Sequence, residues 1–294
     1  MKKYLSHISA AKEWNIPCIE TVLGYKITEA DQTHITVSMH NARVPNRREI
    51  VHSCELALPA NAVVMLDSRG VSSPELLFLE LACELSIHRL ILLGLQLCSH
   101  SDRQPSAITT KQKLNVFLSK TSGHRGHRKA LRAMKYVENG SASIMESLTY
   151  MILCLPNALG GYGLDDAVFN YEIRLKREAQ IRLKQNRCFV DLYYKQAKLA
   201  VEYDSFAHHN TPSELGKDAI RSAILQRQGI DVMHINTIQL YDRYACRDFA
   251  YTLAERIGKR MQIRTKKFDE MHSLLRTLLP DSIPAESPQI NQSG

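Results

Sequence analysis

The sequence predicts a mixed α/β (α+β) protein with a smaller mixed N-terminal domain and a C-terminal domain whose elements run α-β-β-β-α-β. Three observations carry this. The chain has 294 residues, more than the roughly 100–200 that one domain commonly uses. A boundary signal, Asn139-Gly140, follows a long basic stretch without acids. Beyond it, helical and alternating apolar patterns succeed one another in the stated order. The predicted limits are 1–138 for the first domain, with a basic helical linker over 103–138, then 139–268, then a short helix and a disordered tail over 269–294.

In the first domain a short helix over 9–14 must stop before Pro17. Alternating stretches at 33–39, 49–56 and 62–66 read as strands. A helix start is marked at Ser73-Pro74-Glu75, with Ser73 as cap, Pro74 at the first helical position and Glu75 at the positive dipole end. The stretch 76–97 is long enough for a bilayer but carries Glu80, Glu84, His88 and Arg89 in its middle, each expensive in lipid. It reads as a buried helix of an aqueous protein.

Composition narrows the class. Hydrophobic residues make up 44% and charged residues 23%, which excludes global disorder. The seven cysteines are odd in number, scattered and without a C-x-x-C pair, which suits a reducing cytoplasm and argues against a disulfide framework. No secretory leader and no membrane span are expected. The net charge of +8 favours an anionic partner such as nucleic acid.

That charge is concentrated. Between Arg103 and Val137 stand nine Lys or Arg and no Asp or Glu, with Arg125, Arg128, Lys129 and Arg132 around a Gly-punctuated loop entering a helix. Clustered cations of this kind track a phosphate backbone by releasing counterions, or they form a solvated helix face. The sequence leaves both readings open.

In the second half a helix is expected over 143–155, strands over 168–175, 188–194 and 198–204, a helix over 213–228, a strand over 230–235, and a long helix over 238–261. The two middle strands form a hairpin candidate. A loop centred between Gln196 and Ala197 pairs residues whose numbers add to 393, placing Asp191 opposite Glu202 and Phe189 opposite Asp204. A four-residue loop, 195–198, gives the same register. Period-two geometry then sets Asp191, Glu202 and Asp204 on one face, with Val190, Leu192, Leu199 and Val201 on the other. Opposed Cβ atoms lie about 5 Å apart and like charges there repel, so an offset is required; a hard divalent cation held by carboxylate oxygens is the simplest. Asp204 is followed by His208 and His209, and the next helix carries Asp218 and Arg221 on one face, as site residues or as a plain ion pair. Ser143-x-x-Glu146 fits a capping box; Glu146 could equally project into a site.

These residues resemble the nuclease-like domain of unknown function related to the very-short-patch mismatch-repair endonuclease, within the PD-(D/E)XK superfamily. The resemblance rests on Ser143-x-x-Glu146, Val190-Asp191, Val201-Glu202-Tyr203-Asp204 with His208 following, and Asp218-x-x-Arg221-x-x-x-Leu225 with Gly229. It spans about residues 140–260 and implies a restriction-endonuclease-like core. It implies Asp191 and Glu202 as metal ligands, with Asp204, counted with them among the metal-binding and catalytic acids, at the position that often holds the superfamily's lysine, Glu146 as a helix-borne acid, and His208, Asp218 and Arg221 in support. Two departures stand out. Ser205 replaces the usual Gly, and no lysine stands two residues after Glu202. Lys198 shares the face but lies four residues away, roughly 13 Å. More faintly, residues 71–82 resemble a helix of abortive-infection antitoxins, with Glu80 where an Asp is common.

The expectation is therefore a Mg²⁺- or Mn²⁺-dependent endonuclease acting on DNA, in phage defence or repair. Arg221, Lys198 and the basic segment would meet phosphate charge. The competing readings are a nuclease fold without catalysis that binds or regulates DNA, and an interaction partner of a protein encoded by a neighbouring gene.

Overall fold

The computed structural model describes residues 3–28, 31–39, 47–100, 106–204, 212–263 and 266–280. The chain divides into two compact units, Met1–Ser147 and Leu148–Gly294. It is a mixed α+β architecture with one mixed sheet in each unit. No helix among the described residues is long and apolar enough to cross a membrane.

In unit 1 the strands β1 (Lys3–Leu5), β2 (Thr33–Val37), β3 (Glu49–Ser53), β4 (Val63–Leu66) and β5 (Arg69–Ser72) form a sheet of order β3-β2-β1-β5-β4. β1 and β5 were not expected. With three and four residues they are too short to display alternation, yet β1 joins the halves of the sheet, antiparallel to β2 and parallel to β5. The first helices are α1 (His7–Glu13) and α2 (Ile19–Leu23). The Ser73 cap forms as expected, its Oγ accepting the Leu76 N–H at 3.2 Å. The greasy stretch is not one helix, however. It breaks into α3 (Pro74–Leu81) and α4 (Ile87–Leu97), because Ser86 caps a new start by accepting the Arg89 N–H. Its charges are satisfied inside the unit: Arg89 donates to the Thr21 and Val22 carbonyls, and Glu80 accepts from Ser72 Oγ at 2.7 Å.

The basic segment is not a linker. Helices α5 (Lys111–Ser119) and α6 (His127–Met134) bury Leu114, Phe117, Leu118, Ala130, Ala133 and Met134 in the core of unit 1. Gly126, at φ +79°, makes the close approach into α6; a Cβ there would stand 3.0 Å from the Leu79 carbonyl oxygen.

Helix α7 (Ile144–Cys154) runs across the division between the units. Unit 2 continues with β6 (Ala167–Arg174), α8 (Arg177–Leu183), β7 (Arg187–Tyr194), β8 (Leu199–Asp204), α9 (Pro212–Arg227), β9 (Asp231–Asn236), α10 (Thr237–Tyr241), α11 (Arg243–Arg256) and α12 (Phe268–Arg276). The sheet order is β6-β7-β8-β9: the first three strands form an antiparallel meander, and β9 lies parallel to β8. A parallel neighbour needs a crossover, and α9 supplies it. The long helix expected over 238–261 is split, because Asp242 accepts the Ala245 N–H at 2.7 Å and restarts the helix as α11. Residues 281–294, where the tail was expected, lie outside the described residues.

The hairpin register is the expected one. Leu192 pairs Val201, Tyr193 pairs Ala200 and Tyr194 pairs Leu199, across the turn 195–198. The assignment of faces needs one correction. Val190 packs with Tyr193, Ala200, Ile224 and Leu225 in the cluster that includes α9, so it does not share a face with Leu192. Strict alternation fails at Asp191. There the β6–β7 ladder skips the Asn170–Asp191 pair, and Asn170 sits at φ +43°.

Gly160, at φ +79°, closes a 3₁₀ turn against α12, where a Cβ would meet the Met271 backbone at 2.4 Å. Gly258 has φ +70° and open space around it. Gly160→Ala should cost more than about 2 kcal/mol in urea unfolding and Gly258→Ala about 1 kcal/mol, since only the first adds a backbone clash to the left-handed strain. Equal costs would contradict this packing.

Candidate functional site

Three acids stand where β7 and β8 part. The paired ladder reaches Leu192 and Val201 and goes no further; Asp191 and Glu202 are the next residues on the two strands. Asp191 then turns its side chain across the gap, and its Oδ2 accepts the Tyr203 N–H at 2.8 Å. A side chain thus replaces a ladder bond.

Glu202 is 7% exposed and needs a partner. Arg221, one helical face along α9, supplies it with two bonds, Nη1 to Oε2 at 3.1 Å and Nη2 to Oε1 at 2.9 Å. Arg221 also donates to the Phe189 carbonyl, so one guanidinium clamps β7 and β8 together. Burial pushes the Glu202 carboxyl above the ordinary carboxylate range, against the pull of Arg221.

Asp204 faces β9. Both its oxygens lie within 3.2 Å of His234 Nδ1, and His234 Nε2 contacts Ser222 Oγ at 3.3 Å. The register makes this inevitable: Glu202 pairs His234 across the parallel ladder, and Asp204 is the next residue on the same face. The Asp204 hydrogen bond raises the His234 imidazole above its ordinary value. On the other face Tyr203 Oη meets Thr237 Oγ1 at 2.8 Å, tying β8 to the start of α10.

Beside Arg221 opens a cleft of about 580 Å³, lined by Gln185, Asn186, Arg187, Cys188, Phe189 and Arg221. Phe189 is 45% exposed there, and the Arg187 guanidinium lies 5.6 Å from its ring centre.

The other sequence candidates fall as follows. Glu146 acts in a capping box: its N–H donates to Ser143 Oγ at 3.1 Å, and its carboxylate takes the Ala142 N–H at 2.9 Å, one residue before the Ser143 amide that was expected. Lys198 closes the hairpin turn at φ +50°. Arg128 and Arg132 are exposed on α6, four residues apart and so on one helix face, and Arg125 is exposed in the turn before it. Lys129 is drawn inward, its Nζ donating to the Leu85 carbonyl at 2.9 Å. His208 lies outside the described residues, as does the side chain of Asp218.

The charge offset that the sequence reading assigned to a cation is supplied by the chain itself, through Arg221, His234 and the Tyr203 amide. Carboxylate oxygens are the donors that Mg²⁺ or Mn²⁺ takes, so the residue types fit. As arranged, Asp191, Glu202 and Asp204 do not bring three ligand atoms together; among the described residues only His7, His34 and His52 do so, in unit 1. A cation would need Arg221 and His234 to yield. Sequence reasoning missed His234 because its only signal was the parallel register of a strand separated from β8 by a helix. No family model, curated protein or solved structure matches this chain.

Breaking the buried pair tests the site's energetics. Arg221→Met should destabilise unit 2 by about 2–3 kcal/mol, below the ~3–5 kcal/mol of fully buried pairs because Arg221 keeps 30% of its side chain exposed. Adding Glu202→Gln should recover part of that loss in denaturant unfolding. A double variant no more stable than Arg221→Met would show that Glu202 is not the dependent partner.

Proposed function

We propose that unit 2 is a restriction-endonuclease-like module that hydrolyses phosphodiester bonds of DNA with Mg²⁺ or Mn²⁺. The observation that carries the reading is the parting of β7 and β8 at Asp191 and Glu202, within an α-β-α-β-β-α-β order in which the short α8 interrupts the expected run of three strands and the fourth strand is parallel to the third. That arrangement leaves acidic side chains from two neighbouring strands at one end of the sheet, beside a cleft with an arginine wall.

In this reading Asp191, Glu202 and Asp204 hold the cation. Bound there, a divalent ion polarises the scissile phosphate and lowers the pKa of a coordinated water. The chain's own residues have separate tasks. Arg221 keeps Glu202 paired until a phosphate competes for its guanidinium, whose planar fork suits phosphate and carboxylate alike. Asp191 fixes the Tyr203 amide and so the path of β8. Phe189 offers a stacking face, and Arg187 with Arg221 neutralises the backbone. In unit 1, Arg128 and Arg132 on α6, with Arg125 before it, would make phosphate contacts of their own, independent of sequence.

A second reading, DNA binding without cleavage, is favoured by one observation: Glu202 is already held by Arg221 through both oxygens. A supercoiled-plasmid assay separates the two. With Mg²⁺ or Mn²⁺ the wild type should nick, EDTA should stop it, and Asp191→Ala should reduce the rate at least about 100-fold. Retardation of the plasmid without cutting, or undiminished cutting by Asp191→Ala, would overturn the hydrolase reading. For the α6 pair, Arg128→Ala and Arg132→Ala should each lower the salt slope of DNA binding by about 1.

A further inference from the structure

Unit 1 holds a constellation unrelated to the acids of unit 2. β2 and β3 run parallel in register, with Thr36 beside His52 and His34 beside Ile50, so His34, Thr36 and His52 share one face. Tyr4 of β1 pairs Thr36 and joins that face. His7 comes to it from the first residue of α1. It occupies a left-handed conformation, φ +50°, which a non-glycine residue adopts only when its surroundings hold it there.

The three rings converge. His34 Nδ1 and His52 Nε2 are 3.0 Å apart, the His7 and His52 rings stack at 3.7 Å between centres, and one nitrogen from each ring falls within 4.8 Å of the other two. His7 and His34 are buried. Rings this close and this buried would repel one another if protonated, and it is the neutral imidazole that binds metal.

Around them lie groups that orient metal-bound imidazoles. Ser6 Oγ sits 3.0 Å from His7 Nδ1 and Glu84 places a carboxylate oxygen 3.6 Å from His7 Nε2, while Glu80 accepts the His7 backbone N–H at 3.2 Å and fixes the start of α1. The buried hydroxyls of Tyr4 and Thr36 lie on the same face, with Tyr4 beside Thr36 and Glu80.

From this convergence we propose that His7, His34 and His52 bind a Zn²⁺-class transition-metal ion through three imidazole nitrogens. A ligand–ligand separation near 3 Å is what two nitrogens at about 2.0–2.1 Å from one ion require, and His34 with His52 already meets it. His7 completes the set with a ring nitrogen within 4.8 Å of the other two. Imidazole donors select zinc, copper, nickel or cobalt over magnesium, so the site is distinct in chemistry from the carboxylates of unit 2. Three protein ligands leave a fourth position, which Glu84 or a water can take.

Calorimetric titration of Zn²⁺ into the chelator-stripped full chain tests this. One equivalent should bind, Mg²⁺ should not compete, and His52→Gln should weaken binding at least tenfold while its thermal melt without metal stays that of the wild type. Should that variant fail to fold, two measurements on the wild type decide. The imidazole ¹⁵N resonances of His34 and His52 should shift on adding Zn²⁺, and Co²⁺ should bind without a thiolate charge-transfer band. No zinc equivalent, unchanged binding in a folded His52→Gln, static imidazole resonances, or a cobalt–thiolate spectrum would overturn the proposal.

Discussion

Glu202 and Arg221 form the interaction on which the arrangement of unit 2 depends. A carboxylate carried into the interior by β8 cannot stay there alone, and the guanidinium that meets it comes from the crossover helix α9. Because Arg221 also holds the Phe189 carbonyl, the pair fastens β7, β8 and α9 at the place where the ladder between the two strands ends. The pair is a structural tie across three elements. Electrostatic repulsion among Asp191, Glu202 and Asp204 is discharged by three separate partners rather than left for a ligand to offset.

This arrangement gives the site its two-sided character. On the proposed function, the acids and the Phe189 cleft would serve a phosphodiester substrate, while Arg221, His234 and the Tyr203 amide hold the carboxylates in the structure described. Binding of ion and phosphate would have to exchange partners together, since a phosphate is the natural replacement partner for the guanidinium that a cation displaces from Glu202.

Much of this was legible in the chain. The hairpin register followed from alternation and from a four-residue turn, because period-two geometry leaves no intermediate choice once the turn is placed. Ser73 and Ser143-x-x-Glu146 gave true helix starts, since capping depends on residues three apart. What stayed hidden was set by tertiary pairing. β1 and β5 are too short to alternate, yet they build the middle of the first sheet. Ser86 and Asp242 restart helices inside patterns that read as continuous. The loss of alternation at Asp191 depends on the backbone of Asn170 in another strand. His7, His34 and His52 are 27 and 18 residues apart, each an ordinary histidine until a parallel pairing of β2 and β3 sets two of them side by side.

The account's central claim is that the carboxylates at the parting of β7 and β8 can trade Arg221 and His234 for a divalent ion. Anomalous diffraction from crystals of the full chain grown with Mn²⁺ and a short DNA duplex addresses it directly. The account predicts a manganese peak between Asp191 and Glu202, with the Arg221 guanidinium turned from Glu202 to a phosphate. A duplex bound in the cleft with no such peak and Arg221 still paired to Glu202 would contradict it.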